Sequence, residues 1–357
     1  MASGLPLAAL GAAGIALVCY AAWRRRRVAR GQLLRQALER DGYCILEQVF
    51  DGGLVAEMAA TAVQLAEAQS ADAAKRQQYT GSLISLTSAR VYAGMLISTS
   101  VQSALQSLGP PYSSSRFMNG YVISKPGRGR RLYWHQDWWG WDREESYRQV
   151  APMFALMTYL TATRAPTATD PGNGCLRVIP GTHRKRHLLH NRVPDAHGDE
   201  ISFGSMGGLA FVDDVDGAID LPMRPGDAVL VDVRLLHATR DNNTDECRSM
   251  ITCWWVPGAA DGGGDHPIPE PWRAEFAAQV SDNPHDKGES AWSVAETLAV
   301  RELCCRYNGA FGRYHGGPAG QPHQPGEGPG FEASAADAED ESFRYFGSGR
   351  PSIVSVQ

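Results

Sequence analysis

What constrains this chain most is a succession of short β-prone runs, each cut off by Gly, Pro, Asn or Asp. They are Phe117–Ser124, Met153–Thr161, Cys175–Ile179, Ala228–Val233 and Arg248–Val256, with an earlier one at Gly42–Leu46. Helix-prone stretches, 31–40 and 54–69, lie ahead of most of them. A chain that groups its helices at one end and its strands at the other does not build alternating βαβ units. No G-x-G-x-x-G leads from a strand into a helix, and no phosphate loop is visible. The 38 Gly and 21 Pro supply the turns that many short strands need. The prediction is a mainly β fold, a jelly roll or related double-sheet barrel with flanking N-terminal helices.

The strongest chemical signal is Tyr133-Trp134-His135-Gln136-Asp137. Residues two apart in a strand share a face, so the imidazole of His135 and the carboxylate of Asp137 can reach one metal. The third ligand is predicted to be His237, which ends the apolar strand AVLVDVRLL that begins at Ala228. Two histidines and one carboxylate on one face of an octahedron leave adjacent positions open, the arrangement of non-haem Fe(II) oxygenases. A chelating 2-oxo acid and O2 then bind side by side. Such an acid carries a distal carboxylate, for which a guanidinium is the suited grip. Arg248, brought back beside the metal by a hairpin expected over the turn-rich stretch Arg240–Asp245, answers that need, and Thr239 offers a hydroxyl to the same carboxylate.

The ordered set of motifs resembles the phytanoyl-CoA dioxygenase family. It runs from Leu38-Glu39-Arg40-Asp41-Gly42-Tyr43 through Trp134-His135-Gln136-Asp137 and Asn173–His183 to Pro225-Gly226-Asp227, His237 and Arg248. The resemblance implies a cupin-like double-stranded β-helix, Fe(II) and 2-oxoglutarate as cofactors with O2, help from ascorbate, and oxidation of an unactivated C–H bond with release of succinate and CO2. By the same analogy Tyr121 and Lys125 line the 2-oxoglutarate site. Relatives that halogenate lack the carboxylate ligand, so Asp137 points to hydroxylation. The family name does not set the substrate, expected here to be a small molecule or lipid-like compound. A non-catalytic cupin-like metal- or ligand-binding module is the main alternative, and a metal-dependent hydrolase or isomerase a third; neither has a use for Arg248.

Other features have plainer readings. Trp138, Trp139 and Trp141 either wall a substrate pocket or pack beneath a loop. The segment His183–His190 reads as a basic, solvated loop, with attraction of an acidic substrate group, such as a coenzyme A phosphate, as the functional option. A net charge of -5 gives no reason to expect a nucleic-acid partner. Seven scattered cysteines without C-x-x-C spacing point to free thiols in a reducing compartment.

The catalytic domain is expected over 31–310, after an N-terminal segment 1–30 and before a Gly-, Pro- and acid-rich flexible tail over 311–357. The apolar run Leu5–Trp23 has about the length that crosses a bilayer, and Arg24–Arg27 follow it. That order predicts an uncleaved anchor with the catalytic domain on the cytoplasmic side. An organellar transit peptide competes, because no acidic residue precedes Glu39. Removing residues 1–30 is expected to move the protein from the membrane to the soluble fraction; unchanged fractionation would rule out the anchor.

Overall fold

The structure, a computed structural model, describes residues 28–68, 82–138, 141, 144–186, 215–258 and 291–303. The apolar run 5–23, the tail 311–357, Trp139, His187 and His190 lie outside these residues. Among the described residues no helix is long and apolar enough to cross a membrane.

Among the described residues ten strands form two antiparallel sheets. They are β1 (Tyr43–Leu46), β2 (Ser82–Ser85), β3 (Arg116–Lys125), β4 (Leu132–His135), β5 (Phe154–Tyr159), β6 (Leu176–Val178), β7 (Ile219–Leu221), β8 (Ala228–Asp232), β9 (His237–Thr239) and β10 (Arg248–Val256). The larger sheet has the order β1-β8-β5-β10-β3-β2 and the smaller β4-β9-β6-β7. From β3 onward the chain passes repeatedly between them: β3, β5, β8 and β10 in the larger, β4, β6, β7 and β9 in the smaller. This is the double-stranded β-helix that the short strands and the family resemblance predicted.

The larger sheet is covered on both faces, which is why β10 reads as a run of buried residues without hydrophobic-polar alternation. Met250, Trp254 and Val256 project between the sheets and pack with Leu176 and Val178 of β6. Ile251, Cys253 and Trp255 project the other way, onto the helical layer. That layer comprises α1 (described over 28–41), α2 (Gly52–Glu67), α3 (Arg90–Leu96), α4 (Thr99–Ser107) and, late in the chain, α5 (Val294–Leu303). Asp51 starts α2 by accepting from the Gly53 and Leu54 N–H groups at 2.9 and 3.0 Å. Val55, Met58 and Ala62 then fall on its buried stripe. The outer face of the smaller sheet carries its own cluster of Trp134, Ile179, Val215, Leu236 and Ala238, with the Arg177 guanidinium stacked over Trp134 at 5.2 Å. Cys44, Cys175, Cys247 and Cys253 are free thiols.

Two local expectations change. The apolar stretch from Ala228 to His237 is not one strand: β8 ends at Asp232, a turn closed by Leu235 N–H to Asp232 O (2.8 Å) follows, and β9 opens at His237 in the other sheet. Likewise Arg240–Asp245 links β9 to β10 across the two sheets, so it is not a hairpin within one. Val233, Leu235 and Leu236 are all buried, so the corner leaves no polar mark except Asp232 and Arg234. Those two residues build it. Arg234 is fully buried; it donates Nε to Asp232 Oδ1 (2.9 Å) and Nη2 to Oδ2 (2.6 Å), and Nη1 to the Ser146 and Arg148 carbonyls at 2.7 and 2.8 Å.

Removing one partner of a buried ion pair strands the other charge, at a cost of about 3–5 kcal/mol. Arg234→Met is therefore expected to lower unfolding free energy by roughly that amount, measured by urea denaturation. Arg128→Ala, which breaks an exposed pair with Asp245, leaves the midpoint unchanged.

Candidate active site

The register of β4 on β9 sets His135 directly opposite His237, with an irregularity between Leu132 and His135. Both side chains enter the space between the sheets, their ring centroids 4.2 Å apart. Asp137 follows just past the end of β4. Its Oδ1 lies 3.3 Å from His135 Nε2 and its Oδ2 3.8 Å from His237 Nε2. One ligand atom from each of the three falls within 4.8 Å of the others, and all three residues are buried.

The backbone sets the tautomers. His135 Nδ1 lies 2.7 Å from the Tyr133 carbonyl and His237 Nδ1 2.9 Å from the Leu235 carbonyl. A carbonyl only accepts, so Nδ1 carries the hydrogen and each Nε2 turns a lone pair toward Asp137. Burial pushes the pKa of His237 down to about 4, the charge of a protonated His135 acts in the same direction, and Asp137 opposes both. The ring is thus neutral at neutral pH, the state in which imidazole ligates a metal. Two imidazoles and one carboxylate, converging in an enclosed space, fit a divalent first-row metal with open positions.

Arg248 opens β10, paired across the ladder with Lys125 of β3. Its side chain is buried, its Nε has no hydrogen-bond partner, and no carboxylate pairs with it among the described residues. Burial lowers its pKa, while Tyr159 and Cys175 pull it upward. Neither supplies a counter-charge: burial raises the Tyr159 hydroxyl far above its usual range and the Cys175 thiol to about 12, so both stay neutral. A buried cation without an anion costs free energy that a bound carboxylate recovers.

Of the other predicted residues, Thr239 and Lys125 lie at the same end of the sheets as Arg248, and Tyr121 does not. Thr239 Oγ1 receives the Leu132 N–H at 2.9 Å and Lys125 Nζ at 3.0 Å. Lys125 Nζ also donates to the Arg130 and Arg240 carbonyls at 2.6 and 3.3 Å. Burial and then the Arg248 charge draw its pKa well below the lysine range; against that, three acceptors surround the nitrogen, as many as an ammonium can serve. Tyr121 shares the interior face of β3, but it pairs with Thr252 and packs edge-on against Trp254 at 6.1 Å. Four residues separate it from the level of Arg248, about 13 Å along the strand.

Trp138 and Trp141 belong to the inter-sheet cluster. Trp138 Nε1 donates to Ser146 Oγ at 2.8 Å and Trp141 packs against Tyr147, so both lie beneath the 144–148 turn. In the basic segment Arg184 and Lys185 are exposed as expected, but His183 is fully buried, with Nε2 3.2 Å from the Glu39 carbonyl. Sequence reasoning missed Gln136. Lying between two inward-facing ligands it points away from them, and its Nε2, with two hydrogens to donate, lies 3.2, 2.9 and 2.6 Å from the Thr182, Lys185 and Arg234 carbonyls. Its place between the two ligands was the available signal; the partners come from remote segments.

A family model described as phytanoyl-CoA dioxygenase (PhyH) matches residues 38–250. Over 258 residues the chain is 26% identical to an ectoine dioxygenase of Sphingopyxis alaskensis, covering 66% of this chain and 79% of that protein. Over 153 residues it is 30% identical to a probable phytanoyl-CoA dioxygenase of Caenorhabditis elegans, covering 42% of this chain and 45% of that protein. A crystal structure of EctD from S. alaskensis in its apoform aligns with a TM-score of 0.44 at 23% identity, covering 62% of this chain and 75% of that one.

Titration with Co(II) under anaerobic conditions, followed by visible absorption, is expected to show one ion per chain. Asp137→Ala and His237→Ala should each weaken it by at least about 100-fold, beyond what the loss of a supporting contact does. Retained affinity in either variant would remove that residue from the metal site.

Proposed function

The chain belongs to the phytanoyl-CoA dioxygenase family and is a 2-oxoglutarate-dependent non-haem iron dioxygenase; proceeding from there, we propose that it hydroxylates an unactivated C–H bond of a small-molecule or lipid-like substrate. His135, Asp137 and His237 hold the iron in this reading, and Arg248 and Thr239 hold the distal carboxylate of 2-oxoglutarate. The buried guanidinium of Arg248, paired with no carboxylate among the described residues and on the same interior as the triad, carries the proposal. A barrel that only binds a metal gains nothing from that cation.

Iron, when bound, supplies the chemistry by which O2 is split between 2-oxoglutarate, leaving as succinate and CO2, and the substrate, leaving as the alcohol. The chain's own contribution is placement. The Tyr133 and Leu235 carbonyls fix the imidazole tautomers. Asp137 fills the third protein position, which supports hydroxylation over halogenation. Met250, Trp254, Leu176 and Val178 keep the interior apolar. The names of the relatives, ectoine dioxygenase and phytanoyl-CoA dioxygenase, support a small-molecule substrate. The apolar run 5–23 supports the lipid-like option, with the catalytic domain held at the cytoplasmic face of a membrane.

With Fe(II), ascorbate, O2 and 2-oxoglutarate, the purified protein is expected to form succinate. Asp137→Ala abolishes it, and Arg248→Ala raises the KM for 2-oxoglutarate by about 10- to 100-fold. Neither succinate nor the absorption band of 2-oxoglutarate chelated to Fe(II) in the wild type would overturn the reading.

A further inference from the structure

His135 and His237 stand opposite one another because the β4–β9 ladder pairs them. That ladder does not reach Asp137, since β4 ends at His135. Yet to complete a three-ligand set the carboxylate has to be held to within about 0.5 Å of its place. The residue between the two ligands, Gln136, is buried and turned the other way, with its amide nitrogen among the carbonyls of Thr182, Lys185 and Arg234. Three acceptors converging on one point call for an N–H donor; an apolar or acidic side chain there would leave them without a hydrogen.

The segments that supply those carbonyls also place His237. Thr182 Oγ1 accepts the Leu236 N–H at 3.0 Å and donates to the Ile179 carbonyl at 2.7 Å, while the Ile179 N–H donates to the Leu236 carbonyl at 3.1 Å. Leu236 immediately precedes His237, as Gln136 immediately precedes Asp137. Thr182 thus holds the backbone ahead of one ligand with its hydroxyl, and the side chain ahead of the other with its carbonyl. Arg234 fixes the closest acceptor: its carbonyl lies 2.6 Å from Gln136 Nε2, and its guanidinium is locked to Asp232 and to the Ser146 and Arg148 carbonyls. The frame is therefore assembled by bonds in which Gln136 takes no part. We infer that Gln136 is a positioning residue of the metal centre: its amide fixes Asp137 against the same Thr182–Arg234 frame that fixes His237. This rests on the assignment of His135, Asp137 and His237 to the metal.

The test is anaerobic titration of the purified protein with Co(II), read by visible absorption well below the thermal midpoint of every variant. Gln136→Met fills nearly the same space without the N–H donors. It is expected to weaken Co(II) by about 10- to 100-fold, the loss typical of a contact that orients a metal ligand, and to alter the ligand-field bands of the bound ion. The double variant Gln136→Met/Asp137→Ala binds no more weakly than Asp137→Ala alone, because the amide acts through that carboxylate. Met58→Ala, which opens a cavity in the helical layer, lowers the midpoint but keeps the affinity and bands of the wild type; a Gln136 with a purely structural role would behave in the same way. If Gln136→Met does not fold, Gln136→Asn, whose amide falls one methylene short of the frame, takes its place in each comparison. Wild-type affinity and bands in the Gln136 variant, or a loss that adds to that of Asp137→Ala, overturn the role of Gln136 alone. Wild-type protein that binds no Co(II), or Asp137→Ala that binds it as tightly as wild type, overturns the metal assignment and this role together.

Discussion

The antiparallel pairing of β4 with β9 is the constraint on which the site depends. It sets His135 opposite His237 and Leu132 opposite Thr239. In a strand the side-chain period is two, so a slip of one residue in either strand would carry its imidazole to the outer face, where Trp134 and Ala238 lie. The smaller sheet has only short strands to hold that register. It is secured from outside: Gln136 ties the end of β4 to three carbonyls of remote segments, and Arg234 locks the corner that delivers the chain into β9. These polar contacts sit where backbone leaves one sheet for the other and where hydrophobic burial alone does not set direction.

A dry interior then governs the electrostatics. The space between the sheets is lined by Met, Trp, Leu and Val, and charged forms are disfavoured there. The same burial has opposite uses. For His237 it holds the ring neutral and ready to ligate; for Arg248, which cannot shed its proton at physiological pH, it leaves a cation that an incoming carboxylate satisfies. The neighbours that would quench that cation are a phenol and a thiol, both kept protonated by burial. On the proposed assignment the pocket suits an anion by what surrounds Arg248 among the described residues.

How much of this was legible varies with the kind of residue. His135 and Asp137 were readable from their spacing of two, although Asp137 lies just past the end of β4 and not within the strand. Arg248 was readable because a charge inside an apolar, β-prone run is costly without a use. The helices were readable from their apolar spacing, with 54–69 expected and Gly52–Glu67 observed. The break between Asp232 and His237 was not: every residue around it is buried, and burial on all sides erases the alternation that marks a strand's end. The same concealment made His183, buried against the Glu39 carbonyl, look like part of a solvated basic loop.

By itself the sequence determined the strand-rich class, the two-histidine, one-carboxylate set and the arginine, because local pattern and residue chemistry carry those. Which strand lies in which sheet, that β9 crosses to the smaller one, and that Lys125 meets both Arg248 and Thr239 were decided only by the tertiary structure. Sheet membership depends on pairings between segments far apart in the chain, and hydrogen bonds such as Lys125 to Thr239 join strands that share no local pattern.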